Sequence, residues 1–272
     1  MALTEYQLSI LRLLAGERKR RGERYVAGGA ALNALLRAPC FSRDLNIIHD
    51  SDEAIAESWD ADRRALVADG HTLAVVREAP AFIEALVTRG SERTAGQWAG
   101  DSAFRFFPLI EDETLGMALH PFDLATKKVL AMAGRLEVRD WVDVITCDEK
   151  LQPFGYLVWA ACDKDPGCNP KSILAVAQRE RYSRAEIETL DFHEARPDAT
   201  GLGERWHAMD VEAGEITAAL PAEELGTCVI DERGKLYDLD AETLLVHLRE
   251  ERVRFHSGSI GGVWPRVFDP RE

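Results

Sequence analysis

The chain has 272 residues, 46% of them hydrophobic and 29% charged, which is ordinary globular composition and enough for one large domain or two small ones. No run of about 18 apolar residues is present, which excludes a transmembrane helix. The net charge of −14 sets a global field that repels nucleic acid, so a large tRNA or DNA footprint is disfavoured while a local basic patch is still allowed.

The first segment, M-A-L-T-E-Y-Q-L-S-I-L-R-L-L, is amphipathic and lacks the basic start, continuous apolar stretch and cleavage site of a signal peptide. A cytoplasmic protein with no membrane partner is expected. Leu8, Leu11, Leu13 and Leu14 fall roughly on one face of a helix over residues 4 to 22, which closes on cations and a glycine, K-R-R-G. R-Y-V-A (24–27) reads as a short strand. G-G-A-A-L-N-A-L-L-R (28–37) reads as a glycine turn running into a helix, and R-D-L-N-I-I-H (43–49) as a second strand. Residues 52 to 69 predict an acidic-led helix whose Asp52 and Glu53 suit the positive end of the helix dipole. H-T-L-A-V-V-R, A-F-I-E-A-L-V-T-R and F-R-F-F-P-L-I read as strands, the last two separated by a glycine-containing turn, T-A-G-Q-W-A-G-D. A helix starts after Pro121, and a shorter one contains R-D-W-V-D-V-I-T-C.

Past residue 150 the pattern becomes mostly helical. L-V-W-A-A and S-I-L-A-V-A-Q-R-E-R read as helices parted by N-P-K, A-R-P-D-A-T-G-L-G-E-R as a loop, and E-T-L-L-V-H-L-R-E-E as a helix before the glycine-rich G-S-I-G-G-V-W-P. The expected organisation is a mixed α/β domain over residues 1–150 and a mostly helical region over 151–272. Cysteines 40, 147, 162, 168 and 228 are odd in number and scattered, and read as free thiols in preference to a zinc site.

Three stretches carry chemistry. Gly28 and Gly29 sit between a strand and a helix, where backbone N–H groups can approach a phosphate, although Gly-Gly is also simply a tight turn. Asp44 and Asn46 are two apart on the next strand and therefore share a face. Two acids at that spacing hold Mg²⁺ on a triphosphate, whereas one acid and one amide also suit a plain strand edge. In D-L-A-T-K-K-V-L-A-M-A-G-R-L-E-V-R-D-W-V-D-V-I, Lys128 lies four residues from both Leu124 and Met132, on a partly apolar face. Such a lysine, with Arg135 and Arg139, can neutralise phosphate charge. Asp140 and Asp143 are one helical turn apart and share a face. On periodicity alone this segment also suits a solvated charged face. His49 is at an odd offset from Asn46 and reads as structural, and Trp141 reads as core.

Taken together, Y-V-A-G-G-A-A-L-N (25–33), S-R-D-L-N-I-I-H-D (42–50) and the 123–145 segment resemble the AbiEii/AbiGii-type nucleotidyltransferase family, the group related to the MenT toxins. The resemblance covers about residues 24 to 146. It implies an α+β nucleotidyltransferase fold, a DNA polymerase beta-like mixed sheet flanked by helices. It places Gly28 and Gly29 under the nucleotide phosphates, with Arg43 and Lys128 also toward the nucleotide. It implies Mg²⁺ (or Mn²⁺) on Asp44, Asn46 and Asp143, and catalytic roles for Asp44, Lys128 and Asp143. The implied reaction moves an NMP from an NTP to an RNA or protein acceptor, and the implied partner is an antitoxin. Asn46 departs from the family's D-x-D, since an amide oxygen ligates Mg²⁺ without adding charge. A catalytically degenerate protein of the same fold, acting by binding a partner protein, is the competing expectation.

Overall fold

The computed structural model describes residues 3–21, 24–135, 137–179, 182–193 and 195–265. Gly22, Leu136, Glu180 and Arg181, which fall within expected segments, lie outside them. The chain forms two compact units, residues 1–103 with 109–120, and residues 104–108 with 121–272.

The first unit is built on a seven-stranded mixed sheet. Its strands are β1 (Arg24–Ala27), β2 (Asp44–His49), β3 (Thr72–Ala79), β4 (Phe82–Arg89) and β5 (Glu92–Gly100). In this unit's numbering β6 is Ile110–Asp112 and β7 is Gly116–Ala118. The strand order is β3-β4-β5-β2-β1-β7-β6. β1 and β2 are antiparallel, with Ala27 opposite Asn46, and β2 and β5 are parallel, with Asn46 opposite Gln97. The helices are α1 (Glu5–Arg21), α2 (Gly28–Leu36) and α3 (Glu53–Ala68).

Alternation along β2 decides which side chains reach the core. Leu45 and Ile47 are buried, while Asp44 and Asn46 are half-buried. Leu45 and Ile47 share their face with Trp98 of β5, whose Nε1 donates to Asp62 of α3 at 2.9 Å. Asp62 also pairs with Arg24 at 3.0 Å, both fully buried, so α3 is tied to β1 by charge as well as by packing. Asp44 and Asn46 therefore point away from the α3 side of the sheet. His49 is fully buried on the α3 side, in keeping with its structural reading.

The stretch read as a turn, T-A-G-Q-W-A-G-D, is instead the body of the nine-residue β5. Its glycine serves a close approach. A Cβ on Gly96 would lie 2.9 Å from the Trp98 ring, so the strand needs glycine there without turning.

The second unit is mostly helical. Its helices are α4 (Pro121–Arg135), α5 (Val138–Lys150), α6 (Phe154–Ala161), α7 (Pro170–Arg179), α8 (Arg184–Glu188), α9 (Ala199–Ala219) and α10 (Ala241–Arg249). Two small antiparallel ribbons join them. One pairs β8 (Phe104–Arg105) with β11 (Ser259–Ile260), and the other pairs β9 (Cys228–Asp231) with β10 (Val253–His256). Of F-R-F-F-P-L-I, only Phe104–Arg105 and Ile110 are strand. The division before α4 differs from the boundary expected near residue 150, because α4 and α5 both pack on α6 of the helical unit.

α6 is buried at every position from Phe154 to Ala161, and a Cβ on Gly155 would lie 2.7 Å from Ile216 of α9. Tyr156, Trp159, Ile216, Val229, Tyr237 and Leu244 form one core there. The loop expected over 195–205 ends at Asp198, whose carboxylate accepts from Gly201 N at 3.0 Å and starts α9. Trp141 packs between Tyr182 and Trp206, as a core residue does. Among the described residues no helix is long and apolar enough to cross a membrane.

Candidate active site

The expected site residues fall into two groups, one in each unit. In the first unit, α2 begins at Gly28 immediately after β1. Gly28 has φ +65°, a conformation that costs a residue with a Cβ. A Cβ there would also stand 2.7 Å from Asn46 Nδ2 and 3.1 Å from its Cγ. The glycine turn therefore lies directly against the Asn46 side chain. Gly29 is similarly close to Ser42, whose Oγ would be 3.1 Å from an added Cβ. Ser42 in turn donates to the Asp44 carbonyl at 2.8 Å, and its own carbonyl accepts from Gln7 at 2.9 Å. These bonds fix the start of β2 beneath the turn.

The cap of α2 is Ala27, which has no side-chain hydrogen bond to give. The first N–H groups of a helix have no intrahelical acceptor, and they carry the positive end of the dipole. Asp44 and Asn46 share one face of β2, and the neighbouring strand places Gln97 beside Asn46. Gln97 donates to Glu84 of β4 at 3.3 Å. The sequence pattern hides Gln97, because the glycines around it read as a turn where the chain forms β5. Arg43 is exposed.

In the second unit, α4 and α5 bring Lys128, Asp140 and Asp143 together. Lys128 Nζ lies 2.7 Å from Asp140 Oδ1 and 2.8 Å from Asp143 Oδ2. Arg135 reaches both oxygens of Asp140, with NH2 at 2.8 Å from Oδ1. Two cations and two carboxylates thus neutralise one another, and a solvated charged face does not describe Lys128, which is 6% exposed. Burial pulls the Lys128 ammonium down, but Asp143 and Asp140 outweigh it and hold it above the ordinary lysine range. Burial opposes the charge on Asp140 too, yet the bonds from Arg135 and Lys128 hold it below the usual carboxylate range. Asp143 is pushed up by burial against the pull of Lys128. At 2.8 Å from an ammonium so stabilised, it stays an ion-pair partner. Its Oδ1 is buried and accepts no hydrogen bond from the described residues.

Asp123, one turn before Lys127, is a separate fixture. It accepts from Phe106 N at 2.9 Å, Phe107 N at 3.1 Å and Lys164 Nζ at 2.6 Å, and so clips residues 104–108 to α4.

The donor set suits a hard cation in kind but is short of charge. β2 offers one carboxylate and one amide, with a second amide, Gln97, beside them, and all three are oxygen ligands. Among the described residues no three His, Cys, Asp or Glu side chains cluster as a metal site.

No protein-family model and no curated protein matches this sequence. Solved structures do. MenT4, a nucleotidyltransferase toxin from Mycobacterium tuberculosis, is similar with a TM-score of 0.50 and 17% identity, over 80% of this chain and 83% of that one. JHP933 from Helicobacter pylori is similar at 0.49 and 14%, over 79% of this chain and 95% of that one. A putative nucleotidyltransferase from H. pylori is similar at 0.48 and 13%, over 79% and 96%. At these identities the likeness is one of fold: the chain shares the fold of the MenT4 structure, a mixed sheet flanked by helices, in agreement with the α+β architecture expected from the sequence.

Proposed function

We propose that this protein is a nucleotidyltransferase that moves an NMP from an NTP to an RNA or protein acceptor. The observation that carries the proposal is the seating of Gly28 against Asn46, beneath a helix start that no side chain caps. In this reading the N–H groups at Gly28 and Gly29 hold the nucleotide phosphates, with Arg43 adding charge from the surface. Asp44 and Asn46 would hold Mg²⁺ (or Mn²⁺) in the first unit; Asp143, the further acid that the family resemblance implies, is paired with Lys128 in the second. When bound, the ion supplies charge neutralisation of the triphosphate. In the second unit Lys128 spends two N–H groups on Asp140 and Asp143, and the third is the one that the family resemblance assigns to nucleotide. An acceptor hydroxyl attacks the α-phosphorus in line, the new P–O bond forms as the bond from the α-phosphorus to the α–β bridging oxygen breaks, pyrophosphate leaves with that oxygen, and the hydroxyl proton passes to solvent. The likeness to a nucleotidyltransferase toxin supports a toxin-like role, and a cytoplasmic setting with an antitoxin partner is part of the same proposal.

Incubation with each of the four labelled NTPs, total RNA or total protein, and Mg²⁺ or Mn²⁺ tests this. Label transfer that Asp44→Ala abolishes is the expected result. No metal-dependent nucleotide binding, and no change with Asp44→Ala, would sink it.

A second reading is a silent member of the fold that works by binding a partner protein. The amide at position 46 favours it, because it leaves Asp44 as the one carboxylate on that face of β2. Transfer activity that appears only in Asn46→Asp would establish it, and label transfer by the unaltered protein would exclude it.

A further inference from the structure

Within the helical unit, a cavity of about 290 Å³ opens between the turn after β9, the strap 236–239 and α10. Its chemistry follows from which hydrogen-bonding groups are already used. Tyr237 Oη lies 2.9 Å from His247 Nδ1, and Arg252 NH1 lies 3.0 Å from His247 Nε2. A guanidinium only donates, so Nε2 must accept. The neutral imidazole then carries its proton on Nδ1 and donates it to Tyr237 Oη. The tyrosine hydroxyl is therefore the acceptor in that bond, and among the described residues its own proton has no acceptor. Burial, opposed by Arg252, raises this hydroxyl to about 12, so it remains a donor at neutral pH.

The other charges sort in the same way. Asp231 Oδ1 accepts from Arg233 N and Lys235 N, both at 2.8 Å, which closes the turn after β9. Arg252 stands between Glu232 at 3.8 Å and Glu250 at 3.5 Å. Arg233 and Asp238 also line the cavity, and neither side chain has a hydrogen bond or ion pair among the described residues. One O–H donor, one cation and one anion thus belong to the lining of the same cavity, together with Leu236 and Leu239.

We infer that this cavity binds a small zwitterion of amino-acid size, its carboxylate taken by Tyr237 O–H and Arg233 and its ammonium by Asp238. An anion alone would leave Asp238 opposed to it, and an amine alone would leave the hydroxyl and Arg233 unused. The volume accommodates a free amino acid with its side chain against the leucines.

Calorimetric titration of the full chain with each of the twenty L-amino acids at millimolar concentration tests the assignment. At least one should bind saturably, and its N-acetyl and carboxamide derivatives should each bind more weakly. Tyr237→Phe keeps the ring that packs on Tyr156 and should weaken binding roughly tenfold, the size of one lost hydrogen bond to a charged group. Asp238→Asn, at an exposed position, should do the same without affecting folding. The inference is overturned if no amino acid binds saturably, or if binding is unchanged in both variants.

Discussion

Gly28 and Asn46 fit each other by exclusion: a Cβ on the glycine would stand 2.7 Å from the asparagine Nδ2. The register places Asn46 opposite Ala27, the residue just before the turn. Two independent penalties therefore fall on Gly28→Ala, the positive φ and the contact. The expected destabilisation is about 1–3 kcal/mol, read as a lowered melting temperature. Asn46→Ala should recover the contact part and leave the φ part, so the double variant should melt between the single variant and the parent.

Asn46→Asp should raise affinity for Mn²⁺ in the presence of NTP, because it adds a charge beside Asp44 on the same face of β2. Titration followed by the Mn²⁺ electron paramagnetic resonance signal measures this separately from turnover. Equal affinity in parent and variant would remove Asn46 from the ion site.

Much of this site was legible because its spacings are local. The i, i+2 relation of Asp44 and Asn46 and the strand–glycine–helix order need only short-range periodicity. Gln97 was hidden for a non-local reason. Gly96 and Gly100 resemble turn residues in sequence, but Gly96 yields space to the Trp98 ring, and that ring is placed by Asp62 on α3. The start of α9 was hidden by proline and two glycines, although Asp198 supplies the cap. The pairing of Lys128 with both aspartates depends on how α4 and α5 pack, which periodicity leaves open.

His49 gives the fold an acid-sensitive element. Burial, reinforced by the charge of Arg24, lowers its imidazole to about 4. The unfolded chain titrates near 6.5, so between those values it binds a proton that the folded protein refuses. Stability from this group is complete above about pH 6.5 and is lost as pH falls toward about 4, by roughly 3 kcal/mol in all. Denaturant midpoints measured across that range should fall for the parent and flatten for His49→Leu. A parent without that slope would mean that His49 accepts its proton in the fold.

The Lys128 cluster separates folding from nucleotide binding. Lys128→Met leaves Asp140 with Arg135 but strips Asp143 of its ion-pair partner in a buried position. Breaking such a pair costs on the order of 3–5 kcal/mol. The loss should shrink as pH falls, because an unpaired buried carboxyl has its folded pKa raised above the unfolded one. Its penalty is present above the folded value and disappears as protonation neutralises it. Lys128→Met with Asp143→Leu removes both charges and should restore most of the melting temperature, since apolar replacement of a buried pair is often neutral. Asp143→Leu alone, which keeps Lys128 paired with Asp140, isolates the contribution of the acid. If Lys128 gives its remaining N–H to nucleotide, the stable double variant should still bind NTP less tightly than the Asp143→Leu protein. Equal NTP affinity in those two proteins would make Lys128 a structural residue, and the charge that neutralises the phosphates would have to be sought elsewhere.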